Sequence, residues 1–255
     1  MHKGNSKIQQ YRENSRDRHY EKIREVLIWL YRHGWSHEHI IQKLLKLKRR
    51  PCSYLNRAGV LKRVEPEAGF RTAYVIGSAY LELAQSMHEE RTGLALPYSQ
   101  HRTLIPWYQL GKHSEICQLA ALAELEADDG VYQSEREWRH MAQAGEAIPD
   151  FSIARGEDGF WWYEVERTPK YHERLVFQLR ERHVALTAGK FDKLIWICKS
   201  EGIMRNLLKA LEAPTLPHVR RRADGKIVRV PDEEGWNPEQ LLAASEFRIW
   251  GADIS

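Results

Sequence analysis

Residues 148–167 have the sequence IPDFSIARGEDGFWWYEVER, and this stretch decides the fold of the second half of the chain. Two runs within it, IPDFSIAR and FWWYEVER, are rich in the aromatic and β-branched residues that favour strands. They flank a short acidic segment that contains Gly156 and Gly159, which is typical of a turn. The stretch therefore predicts a β-hairpin.

Alternation along the second predicted strand places its side chains on two faces. Glu164 and Glu166 are two residues apart, so both carboxylates lie on one face, because successive side chains of a strand point to opposite sides. The other face carries Trp161, Tyr163 and Val165. The strand thus predicts a pair of carboxylates on one surface of a sheet.

Asp150, at the start of the first predicted strand, joins this pair in only one kind of register. A hairpin loop with an odd length of three or five residues, centred on Glu157, pairs Asp150 with Glu164. A loop of even length puts the two carboxylates on opposite faces. A cluster of three carboxylates therefore depends on an odd loop.

Three carboxylates held close together repel one another, and without compensation the pKa of at least one rises. Mg²⁺ or Mn²⁺ removes this conflict, because either ion binds carboxylate oxygens and leaves positions for a phosphodiester and a nucleophile. Lys170, at the start of the next predicted helix, would stabilise charge developing on the phosphate, and Arg174 lies one turn further on. The alternative is an exposed acidic hairpin face paired with Arg167 and Lys170.

The first third of the chain has a three-helix pattern. From Tyr20, apolar residues at helical spacing predict a helix that ends at Gly34, and Ser36 is the expected N-cap of a second helix, HEHIIQKLLKL. The run KLKRRPCSYLNRAGVL predicts a third helix that restarts around Pro51 and ends at Gly59.

A predicted hairpin follows these helices. The segment VLKRVEPEAGFRTAYVIG indicates a strand, a polar turn at Gly69 and a second strand, and the order helix, helix, helix, hairpin is that of a winged helix. Cationic and polar side chains of the third helix and hairpin suit phosphates and base edges. The predicted DNA-binding residues are Lys48, Arg49, Arg50, Ser53, Tyr54, Arg57 and Arg63. A small helical domain that binds protein is the alternative.

Charge and composition restrict the class of protein. Residues 1–95 hold 18 Lys and Arg against 10 Asp and Glu, and this N-terminal surplus favours a polyanionic partner. No stretch approaches the roughly 18 apolar residues of a transmembrane helix, and the N-terminus lacks the apolar run of a signal peptide, so we expect a cytoplasmic protein. Cys52, Cys117 and Cys198 are far apart, which predicts reduced structural thiols.

The acidic motif resembles the PD-(D/E)xK nuclease signature. The matching residues are Pro149-Asp150, Glu164-Val165-Glu166 and Lys170. Most of that superfamily has lysine at the position of Glu166, and Lys170 would replace the missing amine. With a winged helix before the motif and Arg174 after it, the pattern is similar to the MobC-type plasmid relaxases and their replication-relaxation relatives.

The resemblance implies a winged helix followed by a restriction-endonuclease-like α/β domain with a central mixed sheet, an α+β chain overall. It also implies divalent-metal-dependent nicking of one strand of plasmid DNA at its origin of transfer. The implied metal ligands are Asp150, Glu164 and Glu166, with Lys170 and Arg174 beside them. The family pattern has a tyrosine nucleophile just after the arginine, where this chain has Leu175. Tyr171, four residues earlier and one helical turn away on the same face, is the candidate in its place.

We therefore expect a winged helix in residues 1–95, a nuclease-like domain in 96–212 and C-terminal strands or an arm in 213–255. The favoured function is a relaxase-like nicking endonuclease acting on double-stranded plasmid DNA, with accessory mobilisation or coupling proteins as partners. A hydrolytic restriction- or repair-type endonuclease would use the same site. The third alternative is a catalytically inactive DNA-binding replication or regulatory protein.

Overall fold

The structure is a computed structural model that describes residues 3–64, 72–96, 111–127, 130–230 and 234–251. The chain divides into two compact units, Met1–Leu122 and Ala123–Ser255. The division falls within the helix Gly111–Ala127, later than the boundary at residue 95 expected from the sequence. The first part of this helix belongs to the first unit because Gln118 bonds to it. The Gln118 side chain accepts a hydrogen bond from Trp29 Nε1 (3.0 Å) and donates one to the Trp35 carbonyl (3.1 Å).

The first unit begins with α1 (Lys3–His33), which ends at Gly34 as predicted, with a φ of 80° at that glycine. β1 (Ser36–His37) and α2 (Glu38–Leu44) follow. The expectation that Ser36 caps α2 is wrong, because Ser36 pairs with Tyr74 in a small antiparallel sheet. His37 takes the cap position and makes no side-chain capping bond.

α3 (Cys52–Arg57) is shorter than expected and begins directly after Pro51. Lys48, Arg49 and Arg50, which we placed on this helix, lie in the turn before it. A proline disfavours helical backbone at the residue before it, so the helix cannot easily extend into this basic run.

The predicted hairpin strands are confirmed as β2 (Leu61–Val64) and β3 (Ala73–Ile76), which pair antiparallel. The turn expected at Gly69 lies outside the described residues. α4 (Leu81–Thr92) follows. The apolar side chains of these helices and strands pack together in the core of the first unit. This core includes Leu27, Leu30, Ile41, Leu55, Ile76 and Met87.

The second unit is built around a five-stranded mixed sheet. Its elements, in chain order, are the end of α5 (Gly111–Ala127), β4 (Val131–Ser134), α6 (Glu135–Met141), β5 (Phe151–Ala154), β6 (Phe160–Glu166), α7 (His172–Thr187), β7 (Lys193–Cys198), α8 (Glu201–Leu211), β8 (Val219–Arg221), β9 (Ile227–Arg229), α9 (Glu239–Ala243) and β10 (Ser245–Ile249). The strand order is β10-β7-β6-β5-β4. β4 pairs with β5 and β5 with β6 in antiparallel orientation, whereas β6 pairs with β7 and β7 with β10 in parallel. A mixed α+β fold with a central mixed sheet is therefore confirmed.

Two features of this unit differ from the sequence expectation. α6 is a helix that the sequence analysis did not predict, and it begins with a capping box in which Ser134 and Glu137 satisfy each other's backbone N–H groups. The C-terminal segment is no separate arm, because β10 is a strand of the central sheet beside β7. β8 and β9 form the expected antiparallel pair around a turn at Gly225.

The core of the second unit lies between the sheet and the helices α7, α8 and α9, and it includes Trp162, Trp196, Leu179, Leu207 and Leu241. The three cysteines are buried, and no disulfide joins any two of them. Within the described part of the chain, no helix combines the length and the apolar character needed to cross a membrane.

Candidate active site

The hairpin register decides whether the three predicted carboxylates meet. Five residues, 155–159, connect β5 to β6, and the pairs Phe151 with Tyr163 and Ala154 with Phe160 centre the hairpin on Glu157. This is the odd register that continues to Asp150 opposite Glu164. The Asp150 N–H donates to the Tyr163 carbonyl (3.1 Å), and Asp150 Oδ2 accepts from the Val165 N–H (2.7 Å).

Gly159 makes this turn possible. Its φ is 87°, a backbone conformation that other residues rarely adopt, and a Cβ at this position would lie 2.5 Å from Asp192 Oδ2. The same Asp192 oxygen accepts the Phe160 N–H at 2.6 Å. The start of β6 is therefore held against the residue that leads into β7.

Glu164 and Glu166 share one face of β6, as the alternation predicts. The Gln178 amide on α7 bridges them, since its Nε2 donates to Glu164 Oε2 at 3.2 Å and to Glu166 Oε1 at 2.7 Å. The two glutamates are only 3% and 4% exposed. The alternative of an exposed acidic hairpin face is therefore wrong for both.

Two cations accompany the glutamates. Lys170 forms an ion pair with Glu166 Oε2, as the spacing suggested. Arg182, which the sequence reasoning missed, places its terminal guanidinium nitrogen 2.7 Å from Glu164 Oε1. Gln178 was also missed. Gln178 and Arg182 lie on the face of α7 that carries the buried Leu175 and Leu179. Polar residues at the helical spacing of apolar ones were the sequence feature that could have identified them.

Glu164 lies in an unfavourable environment for a charged carboxylate. Burial, with a smaller effect from the neighbouring charges of Asp150 and Glu166, raises its pKa to about 8 against the opposing effects of Arg182 and Lys170. Its Oε1 is buried and accepts no hydrogen bond from any described residue, because the Arg182 contact lacks hydrogen-bond geometry. This oxygen is a buried acceptor that is incompletely satisfied.

Tyr171 and Arg174 do not join the cluster. α7 begins at His172, so Lys170 and Tyr171 precede the helix that we expected them to start, and Tyr171 has extended backbone. Tyr171 is 56% exposed whereas Leu175 is buried, so the two do not share a face as expected. The helical spacing of four residues fails here because Tyr171 is not itself helical. Among the described residues, neither Tyr171 nor the exposed Arg174 contacts a carboxylate of the cluster.

The predicted DNA-binding residues all lie on the surface of the first unit. They are Lys48, Arg49, Arg50, Ser53, Tyr54, Arg57 and Arg63, and each is exposed. The Asn56 side chain accepts the Arg63 N–H at 3.1 Å, which ties β2 to α3. This hydrogen bond joins α3 to the hairpin, so the exposed polar side chains of both lie on one surface region of the first unit.

The cluster in the second unit matches the ligand preference of a hard divalent cation. Glu164 and Glu166, which Gln178 bridges, supply carboxylate oxygens of the kind that Mg²⁺ and Mn²⁺ prefer, and Asp150 follows opposite Glu164 in the register of the neighbouring strand. Comparison of the chain with protein-family models, with curated proteins and with solved structures found no match. The chemistry of the cluster is therefore the basis for assigning a function.

Proposed function

We propose that this protein is a divalent-metal-dependent DNA endonuclease, in which a restriction-endonuclease-like second unit cuts DNA and a winged-helix first unit holds it. The observation that carries the proposal is the gathering of Asp150, Glu164, Glu166 and Lys170 by the hairpin register and the β6 alternation. A mixed sheet in which the antiparallel strands β4, β5 and β6 are followed by α7 and the parallel strand β7 supports it, although a fold alone does not define a function.

Asp150, Glu164 and Glu166 would hold Mg²⁺ or Mn²⁺. The Glu164 Oε1, buried without a hydrogen bond among the described residues, fits such an ion. When bound, the ion supplies Lewis acidity and a nucleophile that is reactive at neutral pH. The chain's own contribution is orientation: Gln178 fixes both glutamates, and Arg182 holds Glu164 in place. Lys170 provides positive charge beside Glu166 for a phosphate oxygen.

We further propose that the protein nicks one strand of double-stranded plasmid DNA at a transfer origin, in the cytoplasm, with accessory mobilisation or coupling proteins as partners. The PD…ExE…K motif and the exposed basic side chains of the first unit support this reading. A covalent step would require Tyr171 to reach the scissile phosphate. Because Tyr171 is 56% exposed and makes no contact with the carboxylates among the described residues, hydrolysis by water is the second candidate.

A supercoiled-plasmid assay tests the endonuclease proposal. The wild-type protein should convert supercoiled to nicked plasmid with Mg²⁺ or Mn²⁺ and not with EDTA. Asp150→Asn, Glu164→Gln and Glu166→Gln should each abolish nicking while plasmid binding is retained. Glu157→Gln is the matched control, because this exposed carboxylate of the same hairpin lies in the turn. A Glu164→Gln variant that nicks at the wild-type rate would refute the proposal.

Phenol extraction after nicking distinguishes the two cleavage modes. A tyrosyl phosphodiester carries the cut DNA into the phenol phase until protease releases it, whereas hydrolysis leaves free ends in the aqueous phase. If Tyr171→Phe nicks normally and leaves free ends, the hydrolytic reading is correct. A protein that binds plasmid but neither binds Mn²⁺ nor cuts would be the inactive DNA-binding alternative.

A further inference from the structure

A groove of about 710 Å³ opens beside helix α8 in the second unit. Four cationic side chains line it, and they come from three successive parts of the chain. They are Arg167 after β6, Lys199 after β7, and Arg205 and Lys209 on α8. None of these residues belongs to the carboxylate cluster.

The amphipathic pattern of α8 produces one wall of this groove. Its apolar residues, Ile203, Leu207, Ala210 and Leu211, are buried in the core of the unit. The groove is lined by Gly202, Arg205, Asn206 and Lys209, which follow the spacing i, i+3, i+4 and i+7 of a single helical face. Because the apolar side of α8 is buried in the core, Arg205 and Lys209 on its opposite side face the groove.

The charge of the groove is not neutralised within the described part of the chain. Arg167, Lys199, Arg205 and Lys209 form no ion pair there, and the last three are exposed. The N-terminus of α8, with Ser200 as its cap, adds partial positive charge to the same groove. Lys170 and Arg182, by contrast, each hold a glutamate. Unpaired cations in a concave surface attract a polyanion.

The groove continues towards the carboxylate cluster. The Lys199 N–H donates to the Glu166 carbonyl at 2.8 Å, so the two residues are neighbours across the sheet. Pro169, Ile203 and Asn206 line both the groove and a small crevice whose other walls include Glu166 and Lys170. A chain of phosphates lying in the groove would therefore pass beside the carboxylates.

We infer that this groove binds the phosphate backbone of the DNA strand that is cut, next to the bond that is broken. This inference rests on the proposed endonuclease function and extends it by assigning the substrate strand a binding surface in the second unit. The ligand class is the DNA phosphodiester backbone, because four of the residues that line the groove are cations, and Ser200 and Asn206 add polar groups suited to phosphate oxygens.

The test uses the full chain and a fluorescein-labelled DNA duplex in EDTA, so that binding is measured without cleavage. Lys199→Gln/Arg205→Gln should weaken binding about 30-fold at ~0.15 M salt, because each lost phosphate contact lowers the slope of log K against log salt by ~0.9. Lys199→Arg/Arg205→Lys keeps the charge and should bind like wild type. Lys226→Gln is the matched control, an exposed cation in the β8–β9 turn. Thermal unfolding of each variant should match wild type.

Two outcomes distinguish failure of the groove from failure of the endonuclease. If the wild type nicks and Glu164→Gln does not, while Lys199→Gln/Arg205→Gln keeps the wild-type affinity and salt slope, the groove assignment is overturned and the endonuclease stands. If no metal supports nicking but the double variant still loses affinity, the groove binds the DNA backbone, and the endonuclease proposal fails together with the assignment of a cut strand.

Discussion

Strand β6 contributes to two buried clusters, one on each face, and both contain a glutamate in contact with arginine. On one face, Glu124 Oε2 accepts hydrogen bonds from Arg155 (2.6 Å) and from the Tyr163 hydroxyl (2.8 Å). The other Glu124 oxygen accepts one from Arg248. Burial raises the pKa of the Tyr163 phenol, which keeps the hydroxyl a neutral donor. Both oxygens of this glutamate are therefore satisfied.

The second face of β6 carries Glu164, whose two carboxylate oxygens have fewer hydrogen-bond donors than those of Glu124. Gln178 donates to one oxygen at 3.2 Å, and Arg182 pairs with the other without hydrogen-bond geometry. Asp150 and Glu166 add negative charge nearby, and the pKa of Glu164 is raised to about 8. The same residue types thus give a glutamate with hydrogen bonds to both oxygens on one face, and a glutamate with one oxygen that accepts no hydrogen bond among the described residues on the other.

The different hydrogen bonding of Glu124 and Glu164 distinguishes a structural ion cluster from a candidate reactive site. A buried carboxylate with a donor on each oxygen is stabilised by its neighbours, and removing it leaves cations unpaired. A buried carboxylate crowded by other carboxylates lacks that compensation and is a better ligand for an added cation. Four measurements test this contrast, beginning with the largest expected effect.

Glu124→Ala should lower the free energy of unfolding by ~3–5 kcal/mol, because it leaves the buried Arg155 without its carboxylate, whereas Arg248 keeps its ion pair with Glu246. Urea denaturation measures this loss. Glu157→Ala, at an exposed position, should stay within ~0.5 kcal/mol of wild type. Equal losses in the two variants would show that the Glu124 cluster is not a structural element.

Mn²⁺ at about 100 times its dissociation constant should raise the free energy of unfolding of the wild type by ~2.7 kcal/mol. Glu164→Gln should lose this stabilisation, because an amide is a poor replacement for a carboxylate ligand, and EDTA should reverse it in the wild type. Urea denaturation with and without Mn²⁺ gives the values, with Glu157→Gln as the control. Full Mn²⁺ stabilisation of Glu164→Gln would place the ion elsewhere.

In EDTA, the stability of the wild type should fall as pH rises from about 5 to about 8. The pKa of Glu164 is raised in the folded protein from its ordinary value of 4.5 to about 8, so over this range the folded state keeps a proton that the unfolded state has lost. The stability from this group is complete below the unfolded pKa, and it declines by up to ~1.4 kcal/mol per pH unit. Glu164→Gln should show a shallower decline in urea denaturation at each pH. An unchanged slope would contradict the raised pKa.

Tyr163→Phe should lower the free energy of unfolding by ~1 kcal/mol, the usual net value of one hydrogen bond. Arg155 and Arg248 still satisfy Glu124 in this variant, so the effect is smaller than that of Glu124→Ala. Nicking and Mn²⁺ stabilisation should stay at wild-type levels, because the hydroxyl lies on the opposite face of β6 from Glu164. Loss of Mn²⁺ stabilisation would show that the two faces are coupled.

Local pattern predicted the central parts of the fold. The β5–β6 hairpin and the shared face of Glu164 and Glu166 follow from alternation and turn chemistry over a few residues. The odd turn around Glu157 was one of two registers that the sequence left open, and the structure has it. The hairpin strands of the first unit were predicted for the same reason. α6 was missed although its Ser134 and Glu137 capping box is visible in the sequence.

The errors concern positions where backbone context overrides spacing. Tyr171 was expected to share a helical face with Leu175, but α7 begins one residue after Tyr171, so its side chain points outwards. The run before Pro51 was placed on α3, whereas the proline marks the point after which the helix starts. A shift of one or two residues at a helix end therefore changes which side chains reach a site.

By itself, the sequence determined that Glu164 and Glu166 share one face of a strand, because side-chain alternation is a short-range property of the chain. The pairing of β5 with β6 in the structure then decided the odd register that sets Asp150 opposite Glu164. Only the tertiary structure decided what surrounds them. The packing of α7 on the sheet brings Gln178 and Arg182 to Glu164, and the burial of one face of α8 places Arg205 and Lys209 in the groove. Such partners come from separate elements whose docking depends on the shape of the whole core, which local periodicity does not encode.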